Sequence, residues 1–236
     1  MTRRLKNKPI REVYMKSSPE NHETVFSGIT FADFVEFIPI PVENIILLKS
    51  GYTSYMSIHN FELLEGKESI NKLKLDDIYS YGDFSFVDYT DTSLPSQLTD
   101  SNVAELLYLS HMNKPLKSPF FEVLQNNFAY LSHDDGWWCK LYSKESEAPI
   151  ALLLNKLRKI AQETVCSSAL LLPKELSDTI YELSASGLVV EIDIMKRKKK
   201  DIKIRIYEVG AYEDMDVLFN SFDDEKPLPS YEVHLY

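Results

Sequence analysis

Two runs of alternating apolar residues near the carboxyl end constrain the fold more than any other feature of the chain. In 188–195 and 202–209 every second residue is aliphatic or nearly so, and a period of two is typical of a strand with one buried face. The runs are close enough in sequence to form a hairpin. Their other face carries acids in the first run and bases in the second, which predicts a ladder of cross-strand ion pairs. Its members are Glu191, Asp193, Lys203 and Arg205.

Three segments have the periodicity of amphipathic helices. The clearest is 149–165, where apolar residues recur at spacings of three and four. The segment 173–186 begins with a proline and is followed by Gly187, an arrangement typical of a helix start and a helix end. In 98–112, Thr99 stands where an N-cap residue is expected. Shorter helices fit 31–38 and 213–222.

The remaining apolar segments have the composition of strands. Runs at 44–49 and 83–89 are rich in aliphatic and aromatic residues, and 127–143 has the pattern of a hairpin that turns at an Asp-Gly pair. The segment 53–64 fits either a strand or a helix. Strand and helix patterns therefore occur in blocks, which predicts an α+β fold with a mixed, largely antiparallel sheet or sheets and three to four helices.

The same patterns predict how the chain divides. We expect a basic N-terminal arm in 1–23, a β-rich aromatic subdomain in 24–146 and a helix–helix–hairpin subdomain in 147–236. Within the arm, 9–16 has the pattern of an edge strand. The acidic stretch 144–148 (KESEA) is the expected boundary between the two larger parts.

The chain is acidic, and its positive charge is concentrated in two places. Its 236 residues include 26 Lys and Arg against 36 Asp and Glu, for a formal net charge of −10. Residues 1–16 and 196–200 each sum to +5, so the rest of the chain sums to −20. A body this acidic repels nucleic acids and anionic membranes and attracts basic partners. The charge therefore predicts a basic protein partner.

The cysteines and the N-terminus indicate an intracellular protein. Cys139 and Cys166 are expected to be reduced thiols, because the basic start of the chain is not followed by the apolar segment of a signal peptide. No window approaches the ~18 apolar residues of a membrane-spanning helix. We therefore expect a soluble protein of the cytoplasm. Motifs for nucleophiles, phosphate loops and dinucleotides do not occur, so no cofactor is expected.

Three residues resemble a metal-binding signature. His111, His133 and Asp134 follow the order of the HD phosphohydrolase signature, in which histidines and aspartates bind metal ions that activate water. That family presents its ligands from helices, whereas Gly136 predicts that this His-Asp pair lies at a hairpin turn. We therefore favour the interpretation that Asp134 is a turn residue, and we expect no metal.

A second candidate metal site lies on the 188–209 hairpin. Asp193, Asp201 and Lys203 resemble the arrangement with which many nucleases hold magnesium, where two carboxylates bind the ion and a lysine positions water. The same residue types are also those of an ordinary solvated strand face. A metal-dependent phosphohydrolase or nuclease is therefore an alternative function.

The basic tip of the hairpin raises a third hypothesis, DNA binding. Two helices followed by a hairpin have the order of a winged helix, and the tip can neutralise phosphates. The second helix, 173–186, is acidic and has no Arg, Asn or Gln to read base edges. We interpret the tip as a solvated turn and keep a DNA-binding module as an alternative. The tip residues are Lys196, Arg197, Lys198, Lys199 and Lys200.

The leading hypothesis is a protein-binding surface in 76–91. Carboxylates alternate there with aromatic residues; exposed tyrosines would anchor a partner, and acids would steer its approach. The candidate residues are Asp76, Asp77, Tyr79, Tyr81, Asp83, Asp88, Tyr89 and Asp91. The sequence therefore predicts a non-enzymatic interaction protein, of inhibitor, immunity or adaptor type, that presents this acidic surface to a basic partner.

Overall fold

The computed structural model describes residues 12–53, 56–75, 84–133, 136–196, 200–212, 214–224 and 226–236. Within these ranges lie six α-helices and ten strands, and the strand pairings found are antiparallel. The predicted α+β class with a largely antiparallel sheet is confirmed, with more helices than the three to four expected. In the described part of the chain, no helix is long and apolar enough to cross a membrane.

The chain forms two compact units. The terminal unit consists of Met1–Ser17 and Leu153–Tyr236, and the central unit consists of Ser18–Leu152. The sequence predicts that 1–23, 24–146 and 147–236 form separate parts of the protein. That division stays a prediction. In the structure, the first described strand belongs with the carboxyl-terminal part of the chain.

The terminal unit contains a sheet of four strands in the order β10–β9–β8–β1. These strands are β1 (Glu12–Ser18), β8 (Leu188–Lys196), β9 (Lys200–Glu208) and β10 (Tyr231–Leu235). Its helices are α4 (Ala148–Val165), which begins just before the unit, α5 (Lys174–Ser184) and α6 (Met215–Asp224). The predicted hairpin is confirmed, because β8 and β9 pair as antiparallel neighbours. Alternate aliphatic residues on both strands are buried, as the period of two indicates.

Helix α5 packs against β8, β9 and β10. Its side chains Leu176 and Ile180 are fully buried in the core of this unit. The helix ends close to the predicted glycine, where the N–H of Gly187 donates to the carbonyl of Leu183 at 3.0 Å. Gly187 has a φ of +108°, a conformation that glycine adopts without a steric penalty. This residue turns the chain from α5 into β8.

The central unit contains six strands in the order β2–β7–β6–β5–β3–β4. These are β2 (Glu23–Ser27), β3 (Asn44–Thr53), β4 (Met56–Glu65), β5 (Phe84–Asp88), β6 (Phe128–His133) and β7 (Trp138–Ser143). Its helices are α1 (Phe31–Phe37), α2 (Gly66–Leu75) and α3 (Asp100–Met112). The segment 53–64, whose pattern fitted either a strand or a helix, lies almost entirely in β3 and β4. Helix α2 was not predicted.

The two faces of the central sheet carry different cores. On one face, α1 packs its two phenylalanines, Phe31 and Phe34, among the aromatic rings of β5 and β6. On the other face, Leu106 and Leu109 of α3 belong to a buried hydrophobic cluster with residues of β3, β5 and β6. Helix α3 begins at the predicted N-cap, Thr99, whose hydroxyl accepts from the Asn102 N–H at 3.3 Å.

Candidate protein-binding surface

The structure changes which of the predicted surface residues can meet a partner. Asp88 and Tyr89 are only 4% and 2% exposed, so their expected exposure is corrected. Asp91 is exposed, and hydrogen bonds from Ser93 lower the pKa of its carboxyl. The other members lie outside the described residues: Asp76, Asp77, Tyr79, Tyr81 and Asp83.

Asp88 has a structural role at the end of β5. Its Oδ1 accepts from the backbone N–H groups of Phe128 at 2.6 Å and Asn127 at 2.9 Å, and its Oδ2 accepts from the Asn127 side chain at 3.2 Å. Burial raises the pKa of this carboxyl to about 6, although the hydrogen bonds lower it. The side chain thereby ties β5 to the start of β6.

Asp88 is expected to make the free energy of unfolding depend on pH. The pKa is raised from 3.8 to about 6 in the folded protein, so the folded state binds this proton more tightly than the unfolded chain does. Its contribution to stability is fully present below about pH 4 and is lost as the pH rises through about 6. A difference of about two units between the pKa values of the folded and unfolded states corresponds to a contribution of at most ~3 kcal/mol to the free energy of unfolding.

Denaturant unfolding of the native chain and of Asp88→Asn between pH 4 and pH 7.5 measures this contribution. We expect the stability difference, native minus variant, to decrease with rising pH, because the amide does not titrate. A difference that increases with pH would show that the hydrogen bonds to the carboxylate outweigh its burial. Glu20→Gln, an exposed change in the same unit, serves as the control for the loss of a carboxyl group as such.

The residues of the HD-like pattern lie in different settings. His133 ends β6 opposite Trp138, and the two rings stack with centroids 3.8 Å apart. Burial and the nearby Lys140 lower the pKa of His133 to about 4, so it is neutral at pH 7. His111 is exposed near the end of α3, and Asp134 lies outside the described residues. Across the described ranges, no group of three His, Cys, Asp or Glu side chains is arranged to hold a metal.

The nuclease-like residues share one face of β8 and β9. Asp193 lies opposite Lys203, and Asp201 lies one pair further along that face. Lys203 forms its ion pair with Glu232 of β10, and a buried oxygen of Asp201 has no hydrogen-bond partner among the described residues. The three side chains thus belong to a charged strand face, and Lys203 is engaged by a residue outside the predicted set.

The predicted charge ladder on this face is larger than expected. Arg205 lies opposite Glu191 and contacts both Glu191 and Glu232, each at 2.9 Å. Lys226 contacts Glu191 at 2.6 Å, and the Tyr207 hydroxyl donates to the same carboxylate at 3.0 Å. Burial would raise the pKa of Glu191, but these hydrogen bonds outweigh it and lower the pKa. Positive and negative charges therefore largely offset one another on this face.

The basic hairpin tip is only partly described. Lys196 ends β8 and Lys200 begins β9, whereas Arg197, Lys198 and Lys199 lie outside the described residues. The exposed residues of α5 are mostly acidic, as the sequence indicated, and its one base, Lys174, pairs with Asp178 at 2.7 Å. DNA binding through this helix stays an untested alternative.

The acidity of the chain is concentrated in the central unit. Ser18–Leu152 contains twenty Asp and Glu but only eight Lys and no Arg, a net charge of −12. The terminal unit contains sixteen acids and eighteen bases, a net charge of +2. The described, exposed acids of the central unit are Glu20, Glu36, Glu43, Glu62, Glu65, Glu68, Asp91, Asp100, Glu122, Glu145 and Glu147.

In the described part of the chain, strand β4 forms an open edge of this acidic unit. It is ten residues long, stands at the end of the strand order and pairs with β3 as its one strand neighbour in the described chain. Phe61 and Leu63 are 37% and 49% exposed, and Glu62 and Glu65 are exposed beside them. Its sequence, MSIHNFELLE, contains no Lys and no Pro, the residues that commonly protect an edge from further pairing.

The hydrogen-bond pattern shows which backbone groups of β4 face outward. The N–H of Tyr89 donates to the carbonyl of Asn44 at 3.1 Å, so the backbone of Asn44 faces β5. Backbone direction alternates along a strand, and Asn44 lies opposite Glu65 in the pairing of β3 with β4. Alternate residues of β4 therefore direct their N–H and C=O groups away from β3. Those with described side chains are Phe61, Leu63 and Glu65.

Comparison with known proteins gives no assignment. No known protein family matches the chain, and no curated protein or solved structure matches it.

Proposed function

We propose that the chain is a non-enzymatic protein-interaction protein, of inhibitor, immunity or adaptor type, whose central unit presents an acidic surface to a basic protein partner. The observation that carries this proposal is the division of charge, with −12 on Ser18–Leu152 and +2 on the rest. Like charges spread over one unit create a potential that steers oppositely charged proteins and speeds their association.

The lysines of the central unit do not remove this potential. Among the described side chains, five of them form ion pairs with nearby carboxylates: Lys67, Lys72, Lys74, Lys117 and Lys140. Such pairs occupy at most a minority of the twenty acids. Exposed ion pairs also contribute little free energy, and a partner's charges can displace them. The excess of carboxylates therefore supports attraction of a basic protein.

The proposed surface differs from the one expected at 76–91. Asp88 and Tyr89 are buried, so they act in the core and not in recognition. Asp91 remains a candidate, together with the exposed acids elsewhere in the central unit. Recognition would thus depend on the charge of the whole unit, to which the acids of 76–83 also contribute.

Charge neutralisation in one unit at a time tests the proposal. The first variant changes four exposed acids of the central unit to glutamine: Glu20, Glu122, Glu145 and Glu147. The matched control, E175Q/E182Q/D216N/D223N, neutralises four exposed acids of the terminal unit. Both variants carry the same net charge, so only the location of the change differs.

The native chain and both variants are immobilised, and the proteins that each retains from the native lysate are quantified at ~50 mM salt, where screening is weak. We expect the native chain to retain a basic protein whose binding weakens about tenfold in the central variant, since four charges at roughly 0.3 kcal/mol each approach 1.4 kcal/mol. The control should bind as the native chain does. Equal losses in both variants, or no basic protein retained, would contradict the proposal.

A further inference from the structure

Among the residues that the structure describes, the outer edge of β4 has no strand beside it. The N–H and C=O groups of Phe61 and Leu63 and the N–H of Glu65 point away from β3, and an extended segment placed beside β4 would pair with them as a new strand. Each such hydrogen bond contributes about 0.5–1.5 kcal/mol net. A long edge with no Lys or Pro is the kind of edge at which strand addition occurs.

The side chains of the edge add an apolar strip on one face of the sheet. Phe61 and Leu63 are two residues apart on β4, so they lie on the same face, and both are exposed. Glu62 lies on the opposite face, between them in sequence. An added strand with alternating side chains would therefore place apolar residues against the strip and basic residues near Glu62.

The charge near the edge specifies the occupant. Exposed acids surround the carboxyl end of β4: Glu43, Glu62, Glu65 and Glu68. The exposed bases beside them are Lys67, 3.6 Å from Glu43, and Lys72, 3.2 Å from Glu68. A second copy of β4 would bring like charges together, which disfavours pairing between two copies. A basic extended segment has the complementary charge.

We infer that the outer edge of β4 binds an extended, basic segment of the partner protein as an additional strand, with Phe61 and Leu63 as apolar contacts. This inference rests on the proposed function and names the place and the manner of binding. Strand addition supplies affinity through the backbone, while the apolar strip on one face and Glu62 on the other select the segment.

Two synthetic peptides of equal charge test the inference on the full chain. The first alternates lysine and valine over nine residues and readily forms a strand; the second has glycine in place of each valine, which disfavours a strand. Fluorescence anisotropy at ~50 mM salt measures both affinities. We expect the lysine–valine peptide to bind at least ~10-fold more tightly, since 1.4 kcal/mol corresponds to a factor of ten.

A charge-neutral change in the edge identifies the site. Leu63→Pro removes an N–H that faces outward, so the ladder with β3 stays intact. It should lower the affinity for the lysine–valine peptide about tenfold. Leu63→Val, the matched control, keeps the N–H and should bind as the native chain does. In the native chain, the peptide should slow hydrogen exchange at the amides of Phe61, Leu63 and Glu65, a readout that needs no variant.

The outcomes separate this inference from the proposed function. Equal binding of both peptides, unchanged by Leu63→Pro and without protection of β4 amides, would overturn strand addition but leave attraction by the acidic unit intact. Slowed exchange at another strand would also overturn the inference. Failure of both peptides to bind at low salt would overturn strand addition and would count against the acidic surface as well.

Discussion

Replacing Gly187 with alanine is expected to destabilise the chain by about 4 kcal/mol, because it combines backbone strain with a steric overlap. Gly187 has a φ of +108°, which a residue with a Cβ rarely adopts. A Cβ at this position would lie 1.9 Å from the carbonyl oxygen of Gly210 and 2.6 Å from its carbonyl carbon. Both are backbone atoms, so no side-chain rotation relieves the overlap.

The backbone around Gly187 has little freedom to move away. The Gly187 carbonyl accepts from the N–H groups of Val209 at 3.0 Å and Gly210 at 3.3 Å, and its own N–H bonds to Leu183. A shift that accommodates the Cβ would therefore break hydrogen bonds that join the end of α5 to the segment after β9. This connection is why the expected loss exceeds that of an ordinary glycine in a turn.

Gly210→Ala is the matched control. Gly210 also has a positive φ, +91°, but a Cβ there would have no atom within 4 Å. Gly210→Ala should lower the free energy of unfolding only by the conformational strain, about 1 kcal/mol. Urea denaturation followed by circular dichroism gives both free energies of unfolding. Equal losses in the two variants would mean that the close approach of Gly187 to Gly210 is absent in solution.

The position of Gly187 was predictable because its signal is local. A helix-period pattern that ends just before a glycine indicates a helix end, and alternating residues after it indicate a strand. The hairpin of β8 and β9 and the helix α4 were predicted for the same reason, since each has its period within its own segment. The partner that approaches Gly187, in contrast, is 23 residues further along and is visible only in the structure.

Helix α2 and strand β4 lack such a signal. Helix α2 is largely polar, and only Ile70 and Leu73 are buried, so its apolar pattern is too short to identify. On β4, consecutive residues from Phe61 to Leu63 are all exposed, so the alternation of a half-buried strand is missing. Its structure depends on pairing with β3, a contact that single-segment patterns do not contain.

The candidate surface was the least predictable part of the protein. A buried aspartate that accepts backbone hydrogen bonds, such as Asp88, has the same sequence appearance as an exposed one. The division of charge into −12 and +2 also depends on Met1–Ser17 and Leu153–Tyr236 forming one unit. The sequence alone indicated an acidic body, and the tertiary structure assigns most of that acidity to the central unit.

Phe34→Ala is the second change with a large expected effect, a loss of about 4 kcal/mol in the free energy of unfolding. Phe34 of α1 is 1% exposed. Its ring centroid lies 5.2–5.6 Å from those of Phe86, Phe128 and Tyr130 on the sheet. Truncation would remove these aromatic contacts and leave a cavity whose walls are large, stacked rings that do not readily collapse into it.

Phe37→Ala, on the last turn of the same short helix, separates packing from helix propensity. Phe37 is half-buried, and alanine improves helix propensity equally at both positions. We therefore expect it to cost roughly 1–2 kcal/mol, the value for partial burial of an aromatic ring. Thermal and urea unfolding measure both variants. If Phe34→Ala lost no more stability than Phe37→Ala, α1 would be a peripheral turn and the aromatic face of β5 and β6 would be held together without it.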